Sequence, residues 1–350
     1  MRILNIGANA LVPALRAQGE TVYTVGLSET HDICVKHSYY THKLYECLRS
    51  RGFEPDVLFY CDEGNLPLLI DPENIPIPSV WFSIDSYCNP WHVSYANGFD
   101  ATLVAQKNFV RLFADYGVQA QWFPLFCAQS LIDASDPDSE RDVPVSFVGT
   151  LHHKNNPDRA PFLEAFRRQQ VIVIRHGSFA PLFRRSRIVL NQTAFSEVNF
   201  RCFEAMGCGA ALLMESCSNG FSELFTVGEE LLPTFPRSDA HSAAEIAKKA
   251  LAAPATLARI ARQGFDAVTK RHSDRVRAKT LRTLLTDLLH TKPDERRRTT
   301  EHERRTQLVR AAFGIIAADL EGPAMSHLVH FFSELARGHH PKDPQPPRHE

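Results

Sequence analysis

The chain has 350 residues, 44 % of them hydrophobic and 23 % charged, with a formal net charge of −1; this length supports two globular cores and excludes disordered and fibrous classes. The small net charge conceals an asymmetry, because residues 1–143 hold 9 Lys and Arg against 18 Asp and Glu, whereas residues 144–290 hold 20 against 13. A basic second half suits an anionic ligand but not a nucleic acid, which calls for a denser basic stripe, and no apolar run reaches the roughly 18–20 residues of a membrane span.

In chain order, Arg2–Ile6 reads as a strand rather than a signal segment, since no long apolar stretch follows Arg2. Leu11–Gln18 is a helix stopped by Gly19, Thr21–Val25 a strand, and Leu44–Arg51 a helix closed by Gly52. Asp56–Tyr60, Ser79–Ile84 and Ala101–Ala105 are apolar strands, followed by a helix at Phe109–Tyr116 and a last strand at Gln121–Phe123. Residues 128–143 are polar, contain proline and read as a linker. A second alternation follows: strands at Val145–Val148, Val171–Ile174 and Ile188–Leu190, helices around Pro161–Arg168 and at Phe200–Met206, and a strand at Ala210–Met214. Helices run from Ala243 to His290. Continuous apolar strands alternating with helices imply parallel sheets covered on both faces.

The expected organisation is therefore a Rossmann-like domain over 1–127, a linker over 128–143, and a second Rossmann-like domain over 144–290. A helical extension over 291–337 and a disordered tail over 338–350 complete it. Two such doubly wound α/β halves leave a cleft at their strand C-termini. The eight cysteines are scattered without a Cys-x-x-Cys pair and read as buried free thiols in a reducing, cytoplasmic setting, with no metal site.

The segment Asn199–Gly209 carries the clearest chemistry. It reads as an amphipathic helix with Arg201 and Glu204 three positions apart, and thus on one face, ended by Gly207 and Gly209 before a buried strand. An arginine near a helix N-terminus suits phosphate and a carboxylate suits hydroxyl groups, which points to a sugar nucleotide.

This segment, together with Asn219–Phe225, Gly228-Glu229, Val145–Gly149 and Arg271–Arg275, resembles the C-terminal domain of GT-B glycosyltransferases. Phe82–Asp85, Phe99–Ala101, Ala105–Lys107 and Trp122–Leu125 extend the resemblance to the first half, and the branch most similar is the spore-maturation type. The resemblance covers about residues 50–290. It implies that Glu204 binds the ribose hydroxyls of a nucleotide and that Asn199 to Arg201 approach its diphosphate. The loop from Gly149, with Lys154 or Arg159, flanks the diphosphate in place of a metal. His176 approaches the base or ribose, or marks a turn. Glu197 either contacts the donor sugar or is an exposed acid at the helix start.

In the first domain, Asp85 ends a strand, and an acid there serves as acceptor-side base, as an orienting group or as a helix N-cap, with Ser86 beside it. Trp91 stacks on a sugar ring or is core. The expected activity is a hexosyltransferase-type reaction from a nucleotide-diphosphate sugar to an acceptor hydroxyl, with no cofactor. The acceptor is an unidentified glycan, protein or small molecule, and the oligomeric state is open. A nucleotide-sugar epimerase of the same fold and a non-catalytic sugar-nucleotide-binding protein are the alternatives.

Overall fold

A computed structural model describes residues 1–152, 155–320, 322 and 325–341. The elements in chain order are β1 (Arg2–Gly7), α1 (Val12–Ala17), β2 (Thr21–Gly26), β3 (Ile33–Cys34), α2 (Thr41–Ser50), β4 (Val57–Cys61), β5 (Ser79–Ser83), α3 (Trp91–Tyr95), β6 (Ala101–Val104), α4 (Phe109–Asp115) and β7 (Ala120–Trp122). Then come α5 (Gln129–Asp133), β8 (Val143–Val148), α6 (Arg159–Arg167), β9 (Val173–Arg175), α7 (Ala180–Phe183), β10 (Ser186–Asn191), α8 (Phe200–Gly207) and β11 (Ala211–Met214). The remainder is helical: α9 (Phe221–Leu224), α10 (Ala240–Ala252), α11 (Pro254–Arg271), α12 (Asp274–Thr291), α13 (Pro293–Arg298), α14 (His302–Asp319) and α15 (Ser326–Ala336).

The chain forms two compact units. Unit 1 comprises Met1–Ala105, Phe109–Phe123 and the chain from Ala278 onward; unit 2 comprises Gln106–Asn108 and Pro124–Arg277. This division differs from the expected one at both ends. Residues 128–143 contain α5 and fold with unit 2, and the expected extension is no appendage, because its helices complete the core of unit 1.

Unit 1 holds a seven-stranded parallel sheet in the order β3-β2-β1-β4-β5-β6-β7. Strands β4 and β5 are buried along their whole length, as expected for a sheet covered on both faces. Val309, Phe313 and Ile316 of α14, with Phe331, Phe332 and Leu335 of α15, join the same core as Trp81 and Tyr95. A buried ion pair lies in this region: Arg297 donates to Asp100 at 2.8 Å, and both side chains are fully shielded from solvent. Its other guanidinium hydrogens go to the carbonyls of Glu73 and Ile77 at 2.8 and 2.9 Å, so the charge is fully partnered. Of the tail expected to be disordered, residues 338–341 are described, with His340 packed on Tyr40; residues 342–350 lie outside the described residues.

Unit 2 holds a four-stranded parallel sheet in the order β11-β10-β8-β9. The chain leaves β8 toward β9 on one side, then returns past β8 to β10 and continues outward to β11. The strand order therefore reverses between β8 and β10, the position at which open α/β sheets bind ligands beyond their strand C-termini. All eight cysteines are free. Among the described residues no helix is long and apolar enough to cross a membrane.

Candidate functional site

The reversal point of unit 2 is occupied by one guanidinium. Arg201 in the first turn of α8 donates Nε and Nη2 to the carbonyl of Val148, the last residue of β8, at 3.1 and 2.8 Å. Its Nη1 donates to Oδ1 of Asn191, the last residue of β10, at 2.7 Å. The group thus spans both strand ends and lies over the ring of Phe147, 4.6 Å from its centroid. Gly149 makes this approach feasible, because a Cβ there would stand 2.7 Å from Arg201 Nη2. Burial lowers the Arg201 pKa to about 10, and the nearby positive charge of Arg159 acts in the same direction. Arg159 lies over the same Phe147 ring at 5.6 Å and is held by Gln192 and by the Thr150 carbonyl. Two like charges gathered at one strand end favour an anion.

Helix α8 begins at Asn199, whose side chain does not cap it; the amide instead pairs with Asn191 and reaches Glu197. No side chain therefore competes for the N–H groups and partial positive charge at the helix start. One turn on, Glu204 has no hydrogen-bond partner among the described residues. Burial pushes its pKa up to about 7 against the opposing pull of Arg201. A half-buried carboxyl without a protein partner is suited to accept ligand hydroxyls. After α8, Gly209 adopts φ +77°, the left-handed conformation that turns the chain directly into β11.

The turn leading into α8 is braced by Glu197 and by side chains that the sequence pattern did not single out. Glu197 is buried, with its carboxylate accepting the N–H groups of Ala194 and Phe195 at 3.3 and 2.7 Å. It is thus neither an exposed helix-start acid nor a free carboxylate, because its own loop takes up both oxygens. Gln106, fully buried, clasps Val198 on both sides: Val198 N–H donates to its Oε1 at 3.0 Å, and its Nε2 donates to the Val198 carbonyl at 3.1 Å. Glu215 holds Thr193 Oγ1 at 2.7 Å and Ser238 N–H at 2.7 Å, and Arg237 donates to Ala194 O and Ser196 Oγ. These braces sustain Ser196 at φ +57°, a conformation that non-glycine residues rarely adopt.

His176 is exposed after β9, and no hydrogen bond joins it to the Arg201 cluster among the described residues. Lys154 lies outside the described residues. Asn156 and Gln192 exchange side-chain hydrogen bonds at 2.9 and 3.3 Å beneath Arg159, a polar floor with no sequence signature.

In unit 1, Asp85 follows β5 and is half-buried, accepting the Tyr87 hydroxyl at 2.8 Å. Its backbone is fixed by Asp62, whose Oδ2 accepts the N–H groups of Ile84 and Asp85 at 3.1 and 3.0 Å. Ser86 is buried, and its hydroxyl has no hydrogen-bond partner among the described residues. Trp91 corrects the stacking expectation: it is 3 % exposed, with Trp81, His92 and Tyr95 packed around it, so no face is open to a sugar ring. Among the described residues no group of three His, Cys, Asp or Glu is placed to hold a metal ion.

The Glycosyl transferase-like family model matches residues 138–283, which contain the whole Arg201 cluster. No curated protein matches the sequence. Solved structures with similar folds include Anabaena HepE in complex with UDP and glucose, at TM-score 0.62 and 11 % identity, over 82 % of this chain and 100 % of that one. The UDP-forming α,α-trehalose-phosphate synthase of Burkholderia vietnamiensis is similar at TM-score 0.55 and 14 % identity, over 82 % and 100 %. A glycosyltransferase from Rickettsia africae is similar at 0.58 and 9 %, over 82 % and 98 %. Residues 138–283 are thus a glycosyl transferase-like domain, carried in a chain that has the GT-B fold.

Proposed function

We propose that the chain transfers a sugar from a nucleoside-diphosphate sugar to an acceptor hydroxyl, without a metal ion, in the manner of the spore-maturation branch of hexosyltransferases. The observation that carries the reading is the reversal point of unit 2. There Arg201 bridges the ends of β8 and β10 beside an uncapped helix start, and Glu204 lies one turn away, its carboxylate accepting no hydrogen bond among the described residues. A diphosphate placed beyond Gly149 meets two guanidiniums and the N–H groups of α8, and the ribose hydroxyls donate to Glu204. As the bond between the sugar and the diphosphate breaks, charge develops on the leaving oxygen, and Arg201 and Arg159 are the fixed cations that stabilise it. In unit 1 we assign Asp85 as the base that takes the proton of the acceptor hydroxyl, with Asp62 fixing its backbone.

UDP is the first nucleotide to test, because the HepE structure holds it. Calorimetry with UDP, GDP and ADP, repeated in the presence of a chelator, should show one diphosphate binding regardless of chelator. Failure of all three to bind, or unaltered binding by Glu204→Ala, defeats the donor-site assignment. A chelator that abolishes turnover defeats metal independence alone.

A further inference from the structure

The C-terminal helices border a polar cavity of about 280 Å³ within unit 1, where β6 and β7 begin. Asn97, Thr102, Gln119, Arg296, Arg304 and Arg305 line it, together with the acids Asp100 and Glu301. Asp100 is already neutralised by Arg297, in the fully buried pair. Glu301 is shared: Oε1 takes Arg296 Nε at 3.1 Å, and Oε2 takes Arg305 at 2.7 Å. Burial pushes the Glu301 carboxyl up, yet Arg305, Arg296 and Arg304 together outweigh it and hold it below the usual carboxylate range.

Three guanidiniums thus converge on one available carboxylate, a surplus of two positive charges. Arg305 is further anchored by donating Nη1 to the carbonyls of Asn97 and Phe99, both at 2.7 Å. Arg304 has no hydrogen-bond or ion-pair partner among the described residues. Its guanidinium is nonetheless positioned against the turn before β7, where a Cβ on Gly117 would stand 3.0 Å from Nη2.

We propose that this cavity binds a phosphate-class dianion, with the planar fork of Arg304 as its principal donor and Arg296 completing the charge match. A dianion balances the surplus of two; a single carboxylate does not. The site is built by α13 and α14, beyond the residues that the glycosyl transferase-like family covers, and does not depend on the donor reading.

The test is calorimetry of the full chain with inorganic phosphate at about pH 8, where it is mainly a dianion, in excess UDP so that a donor-site anion subsite is filled. Binding should weaken about tenfold or more in Arg304→Ala, with part of the loss restored by Arg304→Lys, which keeps charge but not the fork. Arg304 is exposed, so both variants should retain the wild-type melting temperature. A parallel arm measures co-sedimentation with phosphatidic-acid vesicles. Arg304-dependent binding in the first arm assigns a soluble phosphate, and in the second alone a lipid headgroup. Phosphate and vesicle binding that are absent, or equal in wild type and Arg304→Ala, overturn the proposal.

Discussion

Replacing Glu204 with glutamine should make the unliganded protein more stable at alkaline pH while weakening its nucleotide affinity. In the folded chain burial raises the Glu204 pKa to about 7, against a reference value of 4.5. Between these two values the folded state holds more protons than the unfolded state, so this group makes stability fall as pH rises from about 4.5 to about 7, with the full penalty present above that window. At roughly 1.4 kcal/mol per pKa unit, the penalty at pH 8 is on the order of 3 kcal/mol as an upper bound, and Arg201 is already included in the shift. Glutamine removes the buried charge and keeps the shape. Melting curves of both proteins between pH 5 and pH 8 should therefore diverge as pH rises, with Glu204→Gln the more stable at pH 8. At the same time the loss of a charged acceptor for ribose hydroxyls should weaken diphosphate binding by about tenfold or more. Parallel melting curves across that range, or a variant destabilised at pH 8, would refute the view that Glu204 is an uncompensated carboxylate kept for a ligand.

Arg201→Met should weaken nucleotide affinity by about tenfold or more in calorimetry and cost stability, because the Val148 carbonyl and Asn191 lose their donor. Gln106→Met should raise KM for the donor with a smaller effect on kcat, and Gln106→Glu, which keeps the bond from Val198 N–H, should recover only part of the loss. An unchanged KM would remove Gln106 from the brace. Arg297→Met should destabilise unit 1 by about 3–5 kcal/mol in denaturant titration, since Asp100 is left charged in the core; Asp100→Asn in the same chain should restore part of that loss.

The strand and helix alternation was legible because parallel strands buried on both faces appear as unbroken apolar runs, as at Val57–Cys61 and Ala211–Met214. Arg201 and Glu204 were legible for a local reason: a spacing of three on a helix fixes their common face without knowledge of the tertiary structure. What joins Gln106 to Val198 and Glu215 to Ser238 is distance in sequence closed by the fold, and neither residue type nor spacing announces it. The C-terminal helices were legible as helices, but their place was not. Phe331, Phe332 and Leu335 form an apolar stripe that fits any apolar groove, and only the packed core shows that unit 1 supplies it. At Trp91 the sequence left stacking and burial open, and burial holds, since Trp81 of β5 with His92 and Tyr95 of α3 converge on it and fill the space a sugar would need.

The two glutamates around the start of α8 show how the same side chain is put to different uses a few residues apart. Glu197 is buried but satisfied, because the N–H groups of Ala194 and Phe195 donate to it; its charge is spent on holding a turn with a strained Ser196. Glu204 is less buried but its carboxylate accepts no hydrogen bond among the described residues, and its pKa rises because the loss of water outweighs the pull of Arg201. Preorganisation requires both. On the proposed donor role, a helix start that moved by an ångström would lose its aim at a diphosphate, and its approach is clamped by Glu197, Gln106, Glu215 and Arg237. A carboxylate already satisfied by the protein would have to give up those bonds before accepting a hydroxyl, and on the proposed reading Glu204 is open to one. The stability lost at Glu204 is therefore expected where a binding group is kept open, and the rigid turn before it keeps that group where a ligand can use it.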